Sequence, residues 1–373
     1  MKVLKARALA AAIIAAGAVA VVGCGSSGSE STATSGGGED AAAAEKAVAD
    51  TSVIDVNAPL TCDAKPSFDE LQAYRAPKAN EPYTIAFMEV SLSGYYYQAL
   101  AYGATKAAED AGVELNIIGG TGYSNPDQQL RQAENAILRG ADAIVFAPAD
   151  IKGSVPVVER ALADGIPVVN ISSEVDSAGV YSVVQDNYVL GQQTADQLAE
   201  LLPEGGKGIV LAGPATGTWA QKQHAGFVDR IEEQYPQLEI VATSNQQVDP
   251  DEGLKDFTNA AQRHPDVDWI YAASTFVLLP DSIPAEHKGT PYVSFGFDPP
   301  AQAALEDGSL AETLTAAQVH NGYLGVGRAI ELLNGEEPPR VTCLEGYPIT
   351  KANIDSPEAQ AELFPEGFKA SGG

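Results

Sequence analysis

Between residues 83 and 297 the chain runs twice through one order of apolar strands and helices, and this duplication constrains the fold more than any other feature. Ile85-Ala86 recurs as Ile209-Val210, 124 positions later. Glu114 of "VELNII" returns as Glu239 of "LEIVAT" after 125 residues, and Asp142 of "ADAIVFAPAD" as Asp268 of "VDWIYAAST" after 126. Gly165 and Pro167 of "DGIPVVNIS" match Gly289 and Pro291 of "KGTPYVSFGFD" at an offset of 124. The period is far too long for a solenoid. It predicts two similar lobes.

Each lobe alternates short apolar strands with helical stretches. In the first, Tyr83 to Met88, Glu114–Ile118, Ala143–Phe146 and Pro167–Ile171 read as strands, and Asp127–Arg139 and Val155–Ala163 as helices. Alternation of this kind makes a parallel sheet with helices on both faces, so the class is α/β, with two Rossmann-like lobes. Open α/β sheets take ligands beyond the carboxyl ends of their strands. Two such lobes face to face enclose one site, built from Glu89–Tyr96, residues 147–150, Ser172 and Ser173 of the first lobe. The second lobe adds residues 213–219, 274–276 and Asp298. The stretch "TFVLLPDSIPAEHKGTP" carries Pro280, Pro284 and Pro291, which break a long helix there and predict a short helix and loop.

The N-terminus speaks to compartment. Lys2, Lys5 and Arg7 precede an apolar run, Ala8 to Val22, that is short for a bilayer span. Val21-Val22-Gly23-Cys24 resembles a bacterial lipobox, which implies cleavage after Gly23, a lipid on Cys24 and anchoring to the outer face of a membrane. Residues 25–50 hold Gly, Ser, Ala and Glu with Val48 as the one large apolar residue, which predicts a flexible stalk. Cys62 and Cys343 remain, an even pair in an exported chain. They are expected to form a disulfide, the alternative being two buried thiols.

With 22 Lys and Arg against 50 Asp and Glu, the formal charge is −28, which repels phosphate backbones and excludes nucleic acid as a partner class. Catalytic and metal motifs are missing as well. Gly119-Gly120-Thr121-Gly122 lacks the third glycine of a nucleotide loop and runs into Asn125-Pro126. Asp249-Pro250-Asp251-Glu252-Gly253 lacks calcium-loop spacing and reads as a helix cap. The four histidines are scattered, with no zinc spacing. No cofactor, metal or enzymatic activity is expected.

Six segments in order, "TIAFMEVSLSGYYYQAL", "ILRGADAIVFAPAD", "DGIPVVNIS", "VVQDNYVLGQQTAD", "HPDVDWIYAAS" and "VSFGFD", resemble the type 1 periplasmic solute-binding proteins of the ribose- and galactose-binding branch. The similarity covers 83–348. It implies capture of a small solute, usually a sugar, by a monomer that hands it to an ABC permease. A sensory subunit reporting to a membrane receptor or kinase is the second reading. The same resemblance implies a first lobe of 83–186 plus 318–348 and a second of 187–317, flanked by a signal peptide (1–23), a stalk and extension (24–82) and a tail (349–373). The hinge is placed near Gln185, Ala317 and the strand before Cys343.

Carried over residue by residue, the family's two ring-stacking aromatics fall on Tyr96 and Tyr97, and its "GFD" aspartate on Asp298. Tyr97 also continues the apolar stripe Leu100, Ala104, Ala107, Ala111, so core packing is its other reading. Elsewhere the chain departs. Ser172-Ser173 stand where the family has Asp-Arg, Gln223 where it has Arg, and Ser274-Thr275 where it has Asn-Asp. The missing guanidiniums remove the usual grip on vicinal hydroxyls, so ribose does not carry over as the ligand. Tyr95, Trp219 and Gln318 are expected to complete a neutral, aromatic and amide-rich site, with His224 or His320 as alternatives and a residue near Val248 in place of a second-lobe aromatic. Glu89 is a second expected cleft carboxylate, or else a solvated strand end. With Asp298 it opens the option of a cationic ligand.

Overall fold

The structure, a computed structural model, describes residues 54–370. The signal peptide, the lipid on Cys24 and residues 25–50 lie outside them. No helix among the described residues is long and apolar enough to cross a membrane.

After a short helix α1 (Phe68–Ala73), the first lobe takes β1 (Thr84–Glu89), α2 (Tyr95–Ala111), β2 (Glu114–Gly119), α3 (Pro126–Leu138), β3 (Ala143–Phe146), α4 (Val155–Ala163), β4 (Val168–Ile171) and β5 (Tyr181–Gln185). The second takes α5 (Asn187–Leu201), β6 (Gly206–Leu211), α6 (Thr218–Gln234), β7 (Leu238–Ser244), α7 (Pro250–Arg263), β8 (Trp269–Ala272), β9 (Tyr292–Phe295), α8 (Pro299–Asp307) and β10 (Glu312–Leu314). The chain then returns through α9 (Gln318–Leu333) and β11 (Val341–Leu344) to the first lobe, adds β12 (Pro348–Ile349) to the second, and makes α10 (Pro357–Gln360). Between β8 and β9 the prolines leave two single 3₁₀ turns, Pro280–Ser282 and Ala285–His287.

The two sheets have the same order, β11-β5-β4-β3-β1-β2 and β12-β10-β9-β8-β6-β7. All pairings are parallel except β10 with β12. The repeated aspartates now have a physical reason. Asp142 Oδ2 accepts from Thr84 N at 2.8 Å, and Asp268 Oδ2 from Lys207 N at 2.9 Å. Each ties the start of the third strand to the start of the first.

In each lobe a pair of helices touches backbone to backbone. A Cβ on Gly103 of α2 would lie 2.0 Å from the Val319 carbonyl oxygen, and one on Gly322 of α9 would lie 1.9 Å from that of Leu100. The second lobe repeats the arrangement. A Cβ on Gly191 of α5 would lie 2.1 Å from the Gln223 carbonyl oxygen, and one on Gly226 of α6 would lie 2.0 Å from that of Tyr188. No side chain fits at any of the four. One helix of each pair follows directly on a lobe crossing, so the crossings are seated against the most tightly packed helices.

Residues outside the expected lobes are built into the body. Ala64 bridges Thr342 in parallel, the Asp63 and Ala64 N–H groups donate to the Val341 carbonyl, and Cys343 N donates to that of Ala64. The extension therefore covers the edge of β11, which would otherwise be open for pairing. A capping box between Ser67 and Glu70 starts α1, whose Leu71 enters the first core. Cys62 and Cys343 are joined in a disulfide with their Cα atoms 5.8 Å apart.

The segment expected as a tail after residue 348 is instead structural. Ile349 pairs with Thr313, and Ala359, Ile354 and Leu363 pack into the second core. The chain then crosses to the first lobe, where Phe364 stacks on Tyr95 with ring centres 4.4 Å apart and Phe368 meets Tyr102 edge-on. Ser356-Pro357 marks a helix start and Pro365-Glu366-Gly367 a turn, but no periodicity marks this path, because a few isolated side chains hold it.

Two outcomes are expected. Gly322→Ala and Gly226→Ala each lower stability by about 2 kcal/mol in denaturant unfolding, despite alanine's better helix propensity, because the helices must separate. Labelling of denatured, unreduced chain carrying Cys24→Ala finds no free thiol. Reduction exposes two and lowers stability by up to about 5 kcal/mol, given the 281-residue separation.

Candidate ligand cleft

The carboxyl ends of both sheets face one cavity. Its first-lobe wall is Gly94 to Tyr97, Tyr123 and Ser172, with Gln185, Asn187 and Gln318 at the crossings. Its second-lobe wall is Trp219, Val248, residues 274–276 and residues 295–298. The enclosed space is about 70 Å³, room for a few waters and so for a small solute.

Gly94 at φ +91° turns the chain from β1 into α2 and places three tyrosines on the first turn. They do three different things. Tyr96 donates its hydroxyl proton to Ser172 Oγ at 2.9 Å. Tyr95 is fixed from outside by Phe364, whose N–H donates to its hydroxyl at 3.1 Å. Tyr97 lines the cavity and also packs against both the first core and the cluster around Trp219. Both readings of Tyr97 hold at once, because a side chain at the first turn of a core helix reaches from the core to the cleft. Burial pushes all three phenols above their ordinary range, so each is neutral.

Ser172 is one of two non-glycine residues with positive φ among those described, at +63°. Such a backbone persists only where its surroundings hold it. Here the Ser172 N–H donates to Asn321 Oδ1 at 3.3 Å, while Asn321 Nδ2 donates to the Val183 carbonyl at 3.0 Å. The other is Ala317, at φ +47°, where the chain enters α9. Flanking it, Ala316 N and Gln318 N donate to Glu362 Oε2 at 3.1 and 3.3 Å. Gln318 Nε2 is held by the carbonyls of Phe297 and Glu362, both at 3.0 Å.

Asp298 lines the second-lobe wall as the cap of α8, with Oδ1 accepting from Ala301 N at 2.7 Å. Burial raises its pKa to about 6, against the opposing effect of that hydrogen bond. It is the only charged residue on the wall. Trp219 donates its indole N–H to the Tyr123 hydroxyl at 2.8 Å and so bridges the lobes across the cleft. Ser274 lines the wall and bonds Phe276 N at 3.0 Å.

Three expected residues lie behind the wall. Glu89 is fully buried, with neither carboxylate oxygen hydrogen-bonded, and burial drives its pKa well up. Strand alternation explains this, since Glu89 shares its face of β1 with Phe87 and points under Tyr96 and Tyr97. It is neither a cleft carboxylate nor a solvated strand end. Ser173 is buried with an unpartnered hydroxyl. Gln223 sits one layer back, where Nε2 holds Asn187 Oδ1 at 3.0 Å and Oε1 accepts from Tyr271 at 3.4 Å, so it positions a wall residue.

His224 faces a surface groove with Pro214 and Asn245. His320 abuts Phe68 of the extension, and burial lowers its pKa to about 4. Tyr123, Asn187, Phe295 and Phe297 are wall residues that sequence reasoning missed. Asn187, directly after the first crossing, and Phe295 and Phe297, inside "VSFGFD", stood beside recognised signals, and Tyr123 did not. No group of three His, Cys, Asp or Glu among the described residues is placed to hold a metal.

The pH dependence of stability follows mainly from buried carboxyls, opposed by His320, whose lowered pKa adds stability as pH rises from about 4 to about 6.5. Burial raises Asp298 to about 6, Glu312 to about 7 and Glu362 to about 8. A folded pKa above the unfolded one contributes stability that is complete below about pH 4 and is lost as pH rises through the folded values. The melting temperature is therefore expected to fall by at least about 3 °C from pH 5 to pH 8.5. Glu362→Gln should flatten the upper part of that slope in a calorimetric pH series.

Comparisons with known proteins agree with this geometry. Residues 85–337 match the periplasmic binding protein domain family model. The ribose import binding protein of Escherichia coli is 27% identical over 258 residues, covering 68% of this chain and 86% of the relative. A D-ribose/D-allose-binding protein of Pseudomonas aeruginosa is 27% identical over 285 residues, covering 73% and 88%. An ABC transporter solute-binding protein from Agrobacterium vitis with bound D-fucose superposes with a TM-score of 0.72 at 25% identity, covering 75% of this chain and all of that one. With two like-ordered sheets closing one cleft and a family match over most of its length, the chain belongs to the periplasmic binding protein domain family.

Proposed function

We propose that this protein binds one uncharged monosaccharide in its cleft and delivers it to an ABC importer. The observation that carries the reading is the composition of the wall, with aromatic rings on both sides, amides and hydroxyls between them, and Asp298 as the only charge. Aromatic faces suit the C–H face of a pyranose ring, and phenols and amides meet its hydroxyls. An anionic sugar would meet Asp298 with no cation on the wall to pair with it, so sugar acids and phosphates are excluded. The relatives named as ribose and allose binders point to the same ligand class.

The protein is extracytoplasmic in this reading, and the lipid on Cys24 would hold it, as a monomer, on the membrane beside its permease. Tyr95, Tyr96, Tyr97, Ser172, Trp219, Ser274, Asp298 and Gln318 are the proposed ligand-contacting residues, with Asn187 and Tyr123 added. Gln223 supports Asn187 from behind.

A thermal-shift panel of neutral, deoxy, amino and acidic monosaccharides tests this. A hit at a hundredfold excess over Kd stabilises the protein by about 2.7 kcal/mol. Neutral sugars should give the hits and uronic acids none. Tyr96→Ala should weaken the best hit by about 1–3 kcal/mol, and Asp298→Asn should lower affinity as well. A panel led by uronic acids, or turnover of a bound sugar, would overturn the reading.

A further inference from the structure

One ion pair joins the lobes out of contact with water. Lys222 lies on α6, one turn after Trp219, and its side chain is 1% exposed. Glu174 follows Ser172 and Ser173 on the opposite lobe, with a side chain 7% exposed. Lys222 Nζ is 3.1 Å from Glu174 Oε1, and neither oxygen of the carboxylate accepts an aligned hydrogen bond. The pair is thus held by charge and by burial between two lobes that are joined at the crossings, across the cleft and by the returning tail.

We propose that Glu174 and Lys222 form a closure latch. When the lobes part, each charge sits on its own lobe's cleft face in water. Closing strips water from both, and the attraction between them only approximately repays that loss, because buried ion pairs come close to break-even. The latch therefore leaves the open and closed forms near balance, and contacts to a bound sugar decide between them. Lone charges would meet a different outcome. A closed form with one of them uncompensated is strongly disfavoured, so the pair also ties closure to the correct register of α6 against the Ser172 turn.

The test needs no ligand, so its result is independent of what the cleft binds. In chain carrying Cys24→Ala, dyes on Leu138→Cys of the first lobe and Lys255→Cys of the second report lobe separation by single-molecule energy transfer. Glu174→Gln and Lys222→Met should each lower the closed-to-open ratio by at least about thirtyfold, while Glu174→Leu with Lys222→Met should return it to the wild-type value or above. Unlabelled wild-type chain is acetylated with an amine reagent in parallel. Lys222 should react faster than the protein unfolds globally, since opening alone exposes it. Coinciding distributions in all four proteins, or modification of Lys222 only at the rate of global unfolding, would overturn the latch and make the pair a static core contact.

Discussion

Close approach of helix backbones is the constraint on which the rest depends. Gly103 against Val319, with Gly322 against Leu100, locks α2 to α9, and Gly191 with Gly226 locks α5 to α6. The carbonyl oxygens occupy the places where Cβ atoms would stand, so these helices cannot slide without separating. Each lobe therefore moves as a body, and motion is left to the crossings near Gln185, Ala317 and the residues after Leu344, and to the tail where it passes from Leu363 to Phe364. Of the two classes of domain motion, hinge and shear, this packing permits the first and resists the second. The cleft inherits its geometry from that choice. Tyr96 rides on one locked pair and Trp219 on the other, so the distance between them reports one rotation.

The wall divides its tasks accordingly. The first lobe offers phenols and a strained serine tied to the crossing helix through Asn321. The second offers Trp219, three phenylalanines and the capping carboxylate of Asp298. Charge is used sparingly, and where two opposite charges are buried they meet each other instead of the ligand space.

Much of the fold was legible because its signals are local or periodic. Three of the four paired landmarks (Glu114 with Glu239, Asp142 with Asp268, Gly165 and Pro167 with Gly289 and Pro291) mark equivalent strand starts, whereas Ile85 aligns with Gly208, one residue before Ile209. Asp142 and Asp268 recur because each fastens two strands by the same hydrogen bond. Tyr96, Ser172, Trp219 and Asp298 were legible because they stand at strand-to-helix junctions, where an α/β sheet presents its site. Glu89 misled because a strand end and a buried position differ by one residue of parity. Gln223 misled because one step around α6 separates the wall from the layer behind it. Tyr123 left no signal, and Phe295 and Phe297 were not singled out within "VSFGFD", since an aromatic at or beyond a strand end reads alike whether it packs inward or faces a ligand. Residues 349–370 misled most. Glu362 acquires its role only when the chain has come back to the N-terminus of α9, and nothing in its own neighbourhood announces that.

The discontinuity of the first lobe has a consequence for how the molecule is made. Its sheet lacks its edge strand until residues 341–344 arrive, and its central helix pair lacks a member until 318–333 have been added. The second lobe holds residues 187–314 in one stretch and adds later only β12 and the packing of Ile354, Ala359 and Leu363. During export the later lobe can thus assemble most of its core while the earlier one waits as an unfinished intermediate, an exception to the rule that domains finish in order of synthesis. Cys62 spends that interval without Cys343, free to pair with any thiol it meets. A cysteine in the extension must therefore stay uncommitted until residue 343 has been added, 281 positions later.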